Sequence, residues 1–194
     1  MRIQVQMKKK FKMIICWFIC GFVVFSAGCG WNDKIDVAKI ETGVAHLGDI
    51  DIAYKTFGRG YPLIMIMGYS ATMDMWDAGL LSKLARRRKV IIFDNRGMGF
   101  STASDKEFSM GLFAEDTAGL LRALNINKAD VLGYSMGTNI ALELTLRYPG
   151  MVNKLILYAG DCGGKEFVEP TPENMQKLTD TSGSTNSFPP QTPA

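Results

Sequence analysis

Residues 131–138, VLGYSMGT, decide the fold of this chain. A short apolar run ends in this stretch, and the run NIALELTLRYP follows it. The order predicts a strand, a tight turn and a helix. Gly133 and Gly137 flank Ser135, and a side chain at either glycine would collide with the neighbouring strand or helix. We therefore expect the turn to hold Ser135 in a strained conformation at the helix N-terminus.

A strand, a G-x-S-x-G turn and a helix together form the context that a nucleophile elbow requires. In such an elbow Ser135 is the nucleophile. The backbone N–H of Met136 donates to the developing oxyanion, and the helix dipole favours negative charge there. The same G-x-S-x-G pattern can arise by chance in a loop rich in Gly and Ser, so the motif alone does not identify an elbow. Its position between a strand and a helix is what favours the nucleophile elbow.

The elements around the elbow predict an α/β fold with a mostly parallel sheet and helices on both faces. Two opening strands separated by Gly48 and Asp49 predict a hairpin, and later strands alternate with helices. Loops at Gly68, Asp94, Ser135 and Gly160 all leave a strand by its carboxyl end, where ligands bind in such sheets. The predicted elements after the hairpin are strands at 62–67, 90–93 and 154–158, and helices at 73–88 and 108–124.

Three ordered motifs resemble the α/β-hydrolase fold family, in the branch of small esterases, haloperoxidase-like perhydrolases and carbon–carbon bond hydrolases. PLIMIMGYS at 62–70 matches the third strand and oxyanion loop, VIIFDNRGMGFS at 90–101 the fourth strand and its loop, and GYSMG the elbow. The resemblance covers 42–164 and implies acyl transfer on a small neutral ester or related substrate, with no metal or organic cofactor. It also implies the Tyr69 N–H as second oxyanion donor, although Met67 stands where many relatives carry His. Relatives with dehalogenase or epoxide hydrolase chemistry use Asp at the position of Ser135.

A serine nucleophile also needs a base and an acid that orients the base. The order in this fold is Ser, then acid, then His. The one histidine, His46, precedes Ser135, so we expect it to be a structural or surface residue. Asp161 is the one candidate acid, and a turn role beside Gly160 is equally open. A Lys or a carboxylate in place of the base also stays open. Asp94 is expected to be structural, paired with loop N–H groups or with Arg96.

The C-terminal residues 165–194 resemble the start of the mobile cap that relatives insert after the sixth strand. They end in a flexible tail rich in Ser, Thr and Pro. Strands seven and eight, the usual acid and the catalytic histidine are missing from the 194 residues. We therefore expect a fragment, truncated after about six strands, with little activity. The alternative is a non-catalytic, lipid-anchored binding or interaction protein that keeps the hydrolase fold.

Composition and charge indicate a globular domain and argue against a nucleic-acid-binding protein, and the cysteines indicate no disulfide or metal site. The chain has 47% hydrophobic and 21% charged residues, which fits a globular domain. Five of its 22 basic residues precede residue 29, so the remainder holds 17 basic against 19 acidic residues. No basic stripe with interleaved aromatic residues is present, which argues against a nucleic-acid partner. Only Cys162 lies within the predicted domain, so no disulfide framework or metal spacing is expected.

The N-terminus predicts an extracytoplasmic, membrane-anchored protein. A basic start is followed by the uncharged apolar run 13–28, which is the pattern of a secretory signal. Ser26, Ala27, Gly28 and Cys29 resemble the bacterial lipobox, although Ser26 departs from the usual Leu. That resemblance implies a signal peptide at 1–28, lipidation of Cys29 and a tether at 29–41. An uncleaved anchor helix and a plain signal peptide are the alternatives.

Overall fold

The computed structural model describes residues 34–161 and 171–173. Within these residues the chain forms a six-stranded sheet in the order β1-β2-β4-β3-β5-β6. The strands are β1 (Gly43–His46), β2 (Asp51–Gly58), β3 (Tyr61–Ile66), β4 (Arg88–Phe93), β5 (Ala129–Tyr134) and β6 (Val152–Tyr158).

Strand directions bring four carboxyl ends to one edge of the sheet. The pairs β3·β4, β3·β5 and β5·β6 are parallel, whereas β1·β2 and β2·β4 are antiparallel. The predicted hairpin is confirmed, with His46 opposite Asp51 next to its turn. In β3, β4 and β5 most residues are buried, as expected for strands covered on both faces.

Helices cover both faces of the sheet, which confirms the predicted fold class. They are α1 (Ala78–Ala85), α2 (Met110–Ala123) and α3 (Met136–Arg147). The helices α2 and α3 pack on the face where Ile64, Ile91 and Val131 join the main apolar core. The helix α1 packs against β2 and β4 through buried Leu81 and Ala85, on the face reached by the alternate strand residues.

The helix predicted at 73–88 is wrong in its bounds. Residues 73–75 form a 3₁₀ turn, and α1 begins only at Ala78, where the Asp77 carboxylate accepts a hydrogen bond from the Leu80 N–H at 2.7 Å. This N-cap starts the helix later than its apolar periodicity predicts. At the other end Arg88 already belongs to β4.

Three predicted features lie outside the described residues: the signal peptide at 1–28, the lipidation of Cys29, and the 165–194 segment except for residues 171–173. At the end of the predicted tether, Val37 is buried and its carbonyl accepts a hydrogen bond from Lys55 Nζ at 3.0 Å. Within 34–161 and 171–173, none of the helices has the length and apolar content that crossing a membrane requires.

Candidate active site

Ser135 lies between the end of β5 and the first residue of α3. Its φ of 53° and ψ of −124° fall in a region that L-residues rarely adopt. Neighbouring strands and the helix hold this conformation. The Ser135 N–H donates to the Tyr158 carbonyl at 3.0 Å, and the Ser135 carbonyl accepts from the Thr138 N–H at 2.8 Å and Oγ1 at 2.7 Å. The elbow is therefore tied to the end of β6 and to its own helix.

Both glycines of the elbow lie where a side chain would not fit. A Cβ on Gly133 would lie 2.6 Å from the carbonyl carbon of Gly137 and 2.8 Å from Thr138 Cα. A Cβ on Gly137 would lie 2.9 Å from the carbonyl carbon of Ile66 and 3.0 Å from the Met67 oxygen. All of these are backbone atoms, which cannot rotate away. The expected steric reason for the glycines is confirmed.

Residues 67–73, which we call the 67–73 loop, connect β3 to the 3₁₀ turn and pass beside the serine. Gly68 is buried, and a Cβ there would lie 3.0 Å from Ser135 Cβ and 3.4 Å from Ser135 Oγ. The next residue, Tyr69, is 76% exposed. Met136 is the first residue of α3, so its N–H has no partner within the helix. Gly68, the residue before Tyr69, and Met136 thus lie beside the serine, and the role of the Tyr69 and Met136 N–H groups as oxyanion donors stays a prediction.

Asp94 and Asn95 begin the loop that leaves β4, and both are buried. The Asp94 carboxylate accepts from the Met73 N–H at 2.7 Å and the Phe100 N–H at 2.9 Å. Burial raises the pKa of Asp94, and these two N–H groups oppose that rise. Asn95 Nδ2 donates to the Met67 carbonyl at 3.1 Å. Of the two partners expected for Asp94, the loop N–H groups are the ones found.

Arg96 pairs elsewhere, with carboxylates that fasten the same loop to the rest of the fold. Its Nε and Nη2 donate to both oxygens of Asp116 in α2, each at 2.8 Å, and Nη1 donates to Asp49 at 2.9 Å. Arg96 and Asp116 are buried. Hydrogen bonds from Arg96 and Ser104 hold the pKa of Asp49 well below its usual range. The pairing of Arg96 with Asp116 is bidentate and fixes the guanidinium plane.

The two remaining predicted residues, His46 and Asp161, lie at the end of β1 and just beyond the end of β6. His46 is exposed at the end of β1, and its Nδ1 lies 2.6 Å from Asp51 Oδ1. Four strand spacings, about 19 Å, separate β1 from β5 in the sheet. The expectation that His46 is a surface residue is confirmed. Asp161 is exposed three residues beyond the end of β6, and its role as an acid stays a prediction.

An apolar cavity of about 680 Å³ lies beside the elbow on the α1 face. Tyr134 and Met67, the residues directly before Ser135 and Gly68, both line it. The other lining residues include Trp76, Leu80, Leu132 and Ile156. This volume lies in the range of small-molecule sites. Within the part of the chain that the structure describes, no group of three His, Cys, Asp or Glu side chains could hold a metal ion.

Sequence reasoning missed the parts played by Asn95 and Thr138. Asn95 occupies a variable position of the D-x-R-G-x-G-x-S motif, so the resemblance does not mark it. A polar side chain directly after a buried strand was the available signal. Thr138 was predicted only as part of the helix, although a hydroxyl three residues after the serine can bond back to the Ser135 carbonyl.

Comparisons with known proteins agree with this geometry. Residues 61–190 match the family model described as alpha/beta hydrolase fold. A 2-hydroxymuconate semialdehyde hydrolase of Pseudomonas sp. (strain CF600) is 36% identical over 103 residues, covering 52% of this chain and 36% of that protein. The chain thus spans well under half of that relative's length.

Two solved structures share the fold. One, described as Est816, an N-acyl homoserine lactone degrading enzyme, is 25% identical with a TM-score of 0.61, covering 73% of this chain and 54% of that one. The other, a membrane phospholipase A described as a bacterial virulence factor, is 24% identical with a TM-score of 0.64, covering 73% and 46%.

Proposed function

We propose that this chain, which belongs to the α/β-hydrolase fold family, functions as a serine hydrolase. Ser135 is the nucleophile, and the substrate is a small neutral ester or a related acyl compound. One observation carries the proposal: Ser135 is held at φ 53° on the turn between β5 and α3, directly beside Gly68. Strained residues of this kind cluster at functional sites.

In the proposed reaction, Ser135 Oγ attacks the acyl carbon and its proton passes to a base. The carbonyl oxygen becomes an oxyanion, which the N–H groups of Tyr69 and Met136 stabilise. The alcohol then leaves with a proton, and water releases the acyl group from the serine. The apolar lining of the adjoining cavity suits a neutral acyl group, because a charged one would lose its hydration there.

The expected rate is low for a polypeptide of these 194 residues. Its one imidazole, that of His46, lies about four strand spacings from the elbow. Loss of the base in a serine hydrolase costs on the order of 10⁶ in kcat, and about 10³ to 10⁴ over water remains from the oxyanion hole and binding. We therefore propose slow acyl transfer at Ser135.

A fluorophosphonate probe tests the nucleophile. Because the chain's one imidazole lies far from the elbow, we expect the full chain to be labelled only slowly, over a long incubation, on the peptide that contains Ser135, and we expect Ser135→Ala to abolish that labelling. A heat-denatured sample of the parent chain is the matched control, because a reactive serine needs the folded elbow. Labelling of the native parent at the level of the Ser135→Ala variant would exclude the enzyme hypothesis for this chain.

The position of His46 favours a second candidate, a lipid-anchored binding or interaction protein that retains the hydrolase fold. Its pairing with Asp51 leaves the elbow without the chain's one imidazole. The strained serine opposes this candidate, because a binding module gains nothing from it. The probe separates the two: such a protein binds ligands without covalent labelling of Ser135.

For the location of the protein we propose an extracytoplasmic domain anchored through lipidated Cys29. The support is the sequence of the N-terminus alone, a basic start and an apolar run that ends in small residues before a cysteine. Cys29→Ala should release the protein from membranes in a cell fractionation. Retention of the variant in the membrane fraction would point to an uncleaved helix instead. Cys162→Ala is the matched control and should stay with the parent.

A further inference from the structure

The two ends of the 67–73 loop are held by side chains of two consecutive residues. At its start the Met67 carbonyl accepts from Asn95 Nδ2 at 3.1 Å, and at its end the Met73 N–H donates to Asp94 Oδ1 at 2.7 Å. Both side chains are nearly inaccessible to solvent, since Asp94 is 1% and Asn95 2% exposed. Buried hydrogen bonds of this kind are costly to break, because the group left behind is not rehydrated.

Between these ends the loop has little support of its own. Tyr69 and Ser70 are exposed, and Ser70 has a φ of 55°. The hydrogen bond inside the loop, from the Ala71 N–H to the Gly68 carbonyl, is long at 3.4 Å. A loop with an exposed, loosely bonded middle takes its position from its anchored ends.

Asp94 and Asn95 are themselves rigidly placed. The second carboxylate oxygen of Asp94 accepts from the Phe100 N–H at 2.9 Å, and the Asp94 carbonyl accepts from Ser101 Oγ at 2.7 Å. The strand that they follow, β4, lies directly beside β3 in parallel register. The two residues therefore transmit the position of the sheet to the loop.

Loop position matters because Gly68 packs against the elbow, with a Cβ position only 3.0 Å from Ser135 Cβ. A shift at Met67 moves Gly68 and the Tyr69 N–H together relative to Ser135 Oγ. A misplacement of about 1 Å can cost about 100-fold in rate, and loss of one oxyanion donor costs about 100- to 1,000-fold.

We propose that Asn95 and Asp94 are positioning residues that clamp the 67–73 loop and so set the distance from the Tyr69 N–H to the reacting carbonyl oxygen. This inference rests on the proposed serine hydrolase function. Asn95 fixes the entry of the loop, one residue before Gly68, and Asp94 fixes its exit. Neither residue touches the substrate.

The test compares two reactions of a cysteine placed at the nucleophile position. In the full chain carrying Ser135→Cys, acylation by p-nitrophenyl acetate uses the oxyanion donors, whereas alkylation by iodoacetamide does not. A thiol needs no added base at neutral pH. The ratio of the two rate constants therefore reports the oxyanion site and cancels the accessibility and ionisation of the thiol. The parent chain, with its four native cysteines, supplies the background.

We expect Asn95→Leu to lower this ratio about 10- to 100-fold. The matched control is Thr117→Val. Thr117 is also buried, and its Oγ1 donates to the Phe113 carbonyl at 2.8 Å within α2. Each substitution removes a donor to a backbone carbonyl, but only Asn95 contacts the loop. The control should leave the ratio within about threefold of the Ser135→Cys chain.

A third variant keeps the test valid if the leucine variant does not fold. Asn95→Asp preserves the shape, and its carboxyl group can donate to the Met67 carbonyl only when protonated. The ratio of this variant should be low near neutral pH and rise as the pH falls, while that of the Ser135→Cys chain stays flat. A role confined to stability would not produce this pH profile.

Two results would overturn the clamp, and they differ from each other. If the Asn95 variants leave the ratio unchanged in a Ser135→Cys chain that acylates well, the loop is positioned by other contacts and the hydrolase proposal survives. If the Ser135→Cys chain shows no higher ratio than N-acetylcysteine, the oxyanion site does not exist, and both proposals are wrong.

Discussion

Gly137→Ala tests the geometry of the elbow through stability. The added methyl carbon would lie 2.9 Å from the Ile66 carbonyl carbon and 3.0 Å from the Met67 oxygen, and closer still to the Ile66 oxygen. Ordinary van der Waals contact begins near 3.4 Å, so α3 must retreat from β3 by about 0.5 Å or more. A gap of that size already forfeits about a quarter of the dispersion energy of the affected contacts.

This movement of α3 weakens the packing of its buried side, where Ile140, Ala141 and Leu144 belong to the main core. Overpacking of this kind lowers the free energy of unfolding by about 1 to 3 kcal/mol. We expect the upper half of this range, because the added methyl group clashes with backbone atoms, which cannot rotate away. For a domain of this size, about 2 to 3 kcal/mol corresponds to a fall in Tm of about 5 to 15 °C. Unfolding in urea, followed by circular dichroism, measures the free energy directly.

The matched control is Gly150→Ala, because a Cβ there meets no atom within 4 Å. We expect its free energy of unfolding to stay within about 0.5 kcal/mol of the parent value. Equal losses in the two variants would refute the reasoning, since the effect would then be a general property of Gly to Ala changes. A loss in Gly150→Ala alone would refute it as well.

Two further perturbations address the loop that leaves β4. Arg96→Met should cost about 3 to 5 kcal/mol in urea unfolding, because it leaves the buried Asp116 carboxylate unpaired, whereas Arg147→Met breaks an exposed pair and should cost about 1 kcal/mol or less. Asp49→Asn should reduce the acid sensitivity of the fold: the folded-state pKa of Asp49 is lowered, so its stabilisation is present above about pH 4 and is lost as the pH falls towards the folded pKa. The Tm of the parent should therefore decline more than that of Asp49→Asn between about pH 5 and pH 3, and parallel declines would contradict the assignment.

The sheet was predictable because its strands carry two strong local signals. The first signal is that apolar runs such as 62–67 and 90–93 are bounded by turn residues. The second is that four loops have a glycine or a polar residue just after such a run, at the carboxyl end of the strand. Helix bounds were less predictable, as the case of 73–88 shows. The periodicity of that stretch was real, but the Asp77 cap and the hydrogen bond between Met73 and Asp94 break it into a turn and a short helix.

In the candidate site, too, features set by neighbouring residues were predictable, whereas contacts between residues distant in sequence were not. The elbow was predictable because each of its requirements, from Gly133 to Gly137, lies within five residues. The contact of Asn95 with Met67 joins residues 28 positions apart, and no periodicity marks such a pair. The same holds for Arg96, whose partner Asp116 becomes evident only when α2 is docked on the sheet.

The strain at Ser135 bears on which step limits the proposed reaction. A non-glycine residue in this conformation costs about 1 to 3 kcal/mol. The contacts that sustain it come from Tyr158, Thr138 and Gly68, all within the described residues. Because the elbow is maintained without contact to any imidazole, its geometry does not depend on the presence of a base. We therefore expect proton transfer from Ser135 Oγ, and not the placement of the nucleophile, to limit the proposed reaction.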